Sequence, residues 1–71
     1  MLAVSEDGKL LATANRDNGS VSIVDLAARK TVREIPVGHH PESVTFLGKS
    51  NIVAVSVYGD DVVKLLDAES G

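Results

Sequence analysis

His39 and His40 are the chain's two histidines, and they carry most of the chemistry its side chains offer. Imidazole can ligate a metal or a haem iron, or exchange a proton near neutral pH. Adjacent residues of an extended segment point to opposite sides, so the pair is poorly set to chelate a single ion. Metal sites gather three or four converging donors, and a turn before Pro41 accommodates two polar residues with no functional reason. Asp17 and Asn18, then Asp60 and Asp61, form two acidic clusters. Asp17-Asn18-Gly19 lacks the alternating oxygen donors and closing Glu of a calcium loop. Asp, Asn and Gly are also the residues that tolerate the left-handed backbone of tight turns. Arg16 and Tyr58 begin these two clusters and are candidates for ligand contact. The serines at 5, 20, 22, 43, 50, 56 and 70 sit in no G-x-S-x-G elbow, and no Gly-rich phosphate cradle leads into a helix. The side chains therefore define no catalytic set, no cofactor motif and no metal site, and enzyme activity is not expected of the isolated chain. The candidate ligand contacts are His39, His40, Arg16, Asp17, Tyr58 and Asp60.

Composition narrows the partners. With no cysteine, the 71-residue chain has neither disulfides nor thiolate metal sites to support a core of marginal size. A formal charge of −3, with the seven Lys and Arg scattered among ten acids, argues against nucleic acid, which needs a basic stripe. No apolar run approaches the ~18 residues of a membrane span, and the N-terminus has no signal-peptide pattern. The apolar residues are mostly Val, Leu, Ile and Ala, with Phe46 and Tyr58 the only aromatics; such residues suit close-packed sheets.

The elements that must position the candidates are short strands. Apolar clusters at Leu2–Val4, Leu10–Ala14, Val21–Asp25 and Thr31–Val37 alternate with turn-formers. Asp7-Gly8 is a strong hairpin signal, and Pro36 places the fourth strand at an edge. After Gly38-His39-His40-Pro41 the pattern restarts with Val44–Phe46, Ile52–Val57 and Val62–Asp67. Asp25 and Asp67, Val21 and Val63, and Ala12 and Ala54 are all 42 residues apart with no gap, and apolar pairs such as Leu2/Val44 and Leu11/Val53 fill the register between them. Asp25 and Asp67 recur with the unit, which predicts a structural job: accepting backbone hydrogen bonds in the turn that follows. No helical periodicity survives the turn clusters.

A period of roughly 40 to 45 residues with four strands per unit is that of a β-propeller blade, a sheet that covers its faces only by stacking. The expected fold is all-β without helices. Residues 1–42 form a four-stranded antiparallel blade with its link to the next, and 43–71 an incomplete second blade lacking the outer strand. That leaves an open edge and two uncovered faces. The partners expected are the remaining blades of a larger propeller or further copies of the chain.

Val4-Ser5-Glu6-Asp7-Gly8-Lys9-Leu10-Leu11-Ala12-Thr13-Ala14-Asn15 resembles the "VSPDGKxLYVAN" core of YVTN-type β-propeller repeats. Val21-Ser22-Ile23-Val24-Asp25 resembles their "VSVID" strand, and Ile35-Pro36-Val37-Gly38 with Pro41 their "IPVGxxP" link. The second unit departs at Gly48-Lys49-Ser50-Asn51 and at Val57-Tyr58-Gly59. Related propellers include the haem-binding part of periplasmic nitrite reductases, subunits of amine dehydrogenases, surface-layer proteins and sugar-lactone hydrolases. The resemblance implies a periplasmic or extracellular setting. It places the loop bearing His39 and His40 on the same face as the Asn15–Gly19 and Tyr58–Asp61 loops, around a central channel. It supports two readings: a scaffold binding a protein or small molecule through those loops, or part of an oxidoreductase propeller holding haem or quinone. Scaffold alone does not choose between them.

Overall fold

The computed structural model describes residues 2–48 and 51–69. The strands are β1 (Leu2–Val4), β2 (Leu10–Asn15), β3 (Ser20–Asp25), β4 (Lys30–Pro36), β5 (Pro41–Phe46), β6 (Ile52–Val57) and β7 (Val62–Asp67). They form two antiparallel meanders, a four-stranded sheet in the order β1-β2-β3-β4 and a three-stranded sheet in the order β5-β6-β7. No α-helix occurs among the described residues, and the architecture is that of propeller blades, the second partial. Where the sequence reads as a plain loop, Tyr58–Asp60 winds into a single 3-10 turn. Of the turn at Gly48–Asn51, Lys49 and Ser50 lie outside the described residues, as do Ser70 and Gly71.

Proline placement follows from the missing N–H. Pro36 closes β4, the edge strand of its sheet, opposite Ser20. β5 begins at Pro41, ahead of the expected Val44, because Pro41 sits opposite Val57 and the ladder slips between Pro41 and Ser43. The first position of a strand tolerates a residue that cannot donate.

The turns joining β1 to β2 and β3 to β4 share one end of the first sheet. Ser5, buried, donates through Oγ to Asp7 Oδ1 at 2.6 Å and accepts from the Leu10 N–H at 3.0 Å. Asp7 also accepts from the Lys9 N–H. These bonds, the Ser5 hydroxyl first, hold the Asp7 carboxyl below its ordinary range. Asp25 accepts from the Ala28 N–H at 3.0 Å and Asp67 from the Glu69 N–H at 2.8 Å, as their recurrence predicts.

The sheets stack face to face around one core. Ala12, Val21 and Ile23 of the first meet Val44, Val53, Val55 and Val57 of the second, with Val37 and Ala68 closing the margins. Register explains the selection: Ala12 faces Ile23 across β2–β3, and Val55 faces Val44 across β5–β6, so each set lies on one side of its sheet. Burying a Val or Ile side chain contributes about 1.5–3 kcal/mol, so these branched residues dominate the join. The sheets approach most closely where β5 lies against β1 and β2.

Candidate functional site at the loop end

The connections at the opposite end of the sheets bring three segments together: the β2–β3 loop, the β4–β5 linker and the β6–β7 loop. Backbone bonds set this convergence. Val37 and Gly38 donate to the Gly19 carbonyl at 2.9 and 3.3 Å, tying the linker to the first sheet. Tyr58 donates to the His40 carbonyl at 3.1 Å and Gly59 to the His39 carbonyl at 2.9 Å, tying the same linker to the second. The linker turns sharply to do so, with Gly38 at φ 131° and His40 at φ 56°. A side chain at Gly38 would run into the Asp60 carboxylate, and its Cβ would lie 3.1 Å from Val57 Cγ1. Gly59 matters through space: a Cβ there would lie 2.6 Å from both the Cβ and the carbonyl oxygen of His39.

His39 is held in this frame by Asp60. Its imidazole Nδ1 lies 2.9 Å from Asp60 Oδ1, and its backbone N–H donates to Oδ2 at 3.2 Å. The two bonds from His39, side chain first, keep the Asp60 carboxyl below its usual value. Asp61, left-handed at φ 56°, closes the turn by donating to the Tyr58 carbonyl. Arg16 Nη2 pairs with Glu42 Oε1 at 3.3 Å, linking the β2–β3 loop to the start of β5. Exposed pairs of this kind contribute about 0–1 kcal/mol, so this contact orients Arg16 more than it stabilises the fold.

Arg16, Asp17, His39 and His40 line one open depression of about 300 Å³, floored by Asn18, Gly19 and Gly38. Asp60 stands behind His39. Tyr58 does not join this group; it lines a separate hollow of about 190 Å³ with Val57, Asp61 and Val63. The depression offers a guanidinium, an imidazole and a carboxylate to a small polar ligand or a peptide side chain. Among the described residues no three His, Cys, Asp or Glu side chains gather as a metal would require.

Sequence reasoning missed Glu42, the partner of Arg16, and the close approach at Gly59, since neither residue type announces a contact made across the linker. It also missed a polar strip on the first sheet's open side. Asn15 Nδ2 donates to Ser22 Oγ at 2.7 Å and to Ser20 Oγ at 3.1 Å, and Ser20 donates to Glu34 Oε2 at 2.8 Å. The alternation of Ser20, Ser22 and Asn15 in adjacent strands was the available signal. A larger groove, about 490 Å³, opens at the turn end between Val32 and Arg33 of one sheet and Asn51, Ala68 and Glu69 of the other. Arg33 spans it, donating to the Glu69 carbonyl.

No family model matches this sequence, and no curated protein does. Among solved structures, the chain is similar to a chain of Kuenenia stuttgartiensis hydrazine synthase, with a TM-score of 0.91 and 26% identity over 96% of its length. It spans 19% of that chain's length. The likeness covers both sheets and their stacking, and it extends the propeller-type fold beyond this sequence.

Proposed function

We propose that this chain is a YVTN-type propeller segment that serves as a binding scaffold, contacting a protein or small-molecule ligand through the loop end. Residues 1–42 act as one blade with its linker and 43–71 as a second blade without its outer strand. The observation that carries the reading is the convergence of three loops, pinned by backbone bonds, around a depression edged by Arg16, Asp17, His39 and His40. Binding sites need side chains held on a rigid frame, and this end supplies the frame without using up the exposed groups. His39 and Asp60 contribute as a fixed pair, while Tyr58 presents an exposed ring on the neighbouring loop.

Peptides selected against the chain from a random display library test this reading. Binding should fall at least about tenfold, the equivalent of 1.4 kcal/mol, in an Arg16→Ala/Asp17→Ala variant. Selected peptides indifferent to that change would sink it.

A second reading makes the chain part of a periplasmic propeller that holds haem or quinone for an oxidoreductase. The similarity to a chain named for an enzyme favours it, and His39 and His40 would then be donors. Titration with ferric haem decides: a shift of the haem absorption band lost in His39→Ala or His40→Ala supports this reading, and no shift removes it.

A further inference from the structure

The 42-residue repeat relates the two sheets residue by residue, and the relation extends to which side of each is covered. Ala12, Val21 and Ile23 of the first sheet are buried against the second. Their repeat counterparts, Ala54, Val63 and Leu65, lie on the second sheet's far side, where Val63 and Leu65 are 68% and 64% exposed. Conversely Val44, Phe46, Val53 and Leu66 pack into the core. Their counterparts Leu2, Val4, Leu11 and Val24 lie on the first sheet's far side, with Leu2 61% and Val4 50% exposed.

The stack is therefore head-to-tail. Each open side repeats the residue pattern of a side that already has a mate within the chain. The open side of the second sheet is built like the surface that receives Val44 and Val53, and the open side of the first is built like the surface that fills it. We propose that a second copy of this chain docks here, its Leu2/Val4/Leu11/Val24 side on the Ala54/Val63/Leu65 side of the first, continuing the established interface. This holds whether or not the loop end binds a ligand.

Two further observations fit this occupant. Thr13 and Asn15 stand where the second sheet has Val55 and Val57, which would put polar groups into the contact. Asn15 and Ser20 are already satisfied by Ser22 and Glu34, so covering them orphans no donor. The sheets are also closest at their β1, β2 and β5 strands, so the stack is a wedge. A heterologous contact that adds the same wedge each time turns through a fixed angle and tends to a closed ring.

Complementary caps test the proposal. Leu65→Lys blocks one side and Val4→Lys the other. Both residues are exposed in a single copy, so folding, checked by circular dichroism, should persist; Val63→Lys and Leu2→Lys serve if it does not. By light scattering the unaltered chain should be a multimer and each variant a monomer, and an equimolar mixture of the two should form a one-to-one dimer. Self-matched docking through the Leu65 side would instead leave Val4→Lys dimeric and give no mixed dimer. That result, or a monomeric unaltered chain at millimolar concentration, overturns the inference.

Discussion

The two ends of the sheets are built on different terms. At the turn end the second sheet repeats the first bond for bond. Ser5 donates to the Leu10 carbonyl and Leu47 to that of Ile52; Leu26 donates to Lys9 and Ala68 to Asn51. Asp25 and Asp67 cap equivalent turns. All of these bonds lie within one sheet. At the loop end the linker is bonded on one side to Gly19 and on the other to Tyr58 and Gly59, so this end joins neighbours. The repeating chemistry makes a blade, and the chemistry of the linker sets one blade against the next.

That division can be broken in a graded way. Ile23→Ala strikes the core both ends depend on and should cost about 2–5 kcal/mol; denaturant melts would show loss of the folded state in both sheets together. Gly59→Ala forces a Cβ against His39 and should cost about 1–3 kcal/mol. Its signature is faster hydrogen exchange at the Tyr58 and Gly59 amides, with Leu26 and Ala68 unchanged. Equal protection loss at both ends would refute the separation.

Asp25→Ala and Asp67→Ala should each cost about 0.5–1.5 kcal/mol and match one another closely, since they do one job twice. A large inequality in their melting shifts would show that recurrence is not equivalence. The smallest effect is acid release of the linker. The Asp60 carboxyl is held below 3.8 by His39, so its contribution is complete above that value and is lost as pH falls through the lower, folded one. Amide exchange at His39 should rise only in that acid range, and Asp60→Asn should remove the dependence.

Strands and repeat were legible because alternation and turn residues act locally. Leu10–Ala14 and Ile52–Val57 announce themselves, and the 42-residue spacing aligns them. The pairing of His39 with Asp60 was not legible. It joins residues 21 apart through a 3-10 turn that the Tyr58-Gly59-Asp60-Asp61 run reads equally well as a loop. Nor could the sequence say which side of each sheet is covered. Val53 and Ala54 are both apolar and point to opposite sides, so periodicity alone gives both faces the same claim. Placing His39, His40, Arg16 and Asp17 around one depression followed from the strand order, while the departure of Tyr58 to a separate hollow depended on the winding of its own turn.

The meander order has a consequence for how the chain acquires its shape. Every strand pairs with the one made just before it, from β2 on β1 to β7 on β6, apart from the single jump over the linker. Low sequence separation between partners favours rapid folding, and no strand waits for a distant one to be synthesised. The first sheet can be complete as the linker emerges from the ribosome, offering the Ala12/Ile23 surface as a template on which the second assembles. Pulse-labelling during refolding should then find β2 and β3 amides protected no later than those of β6 and β7.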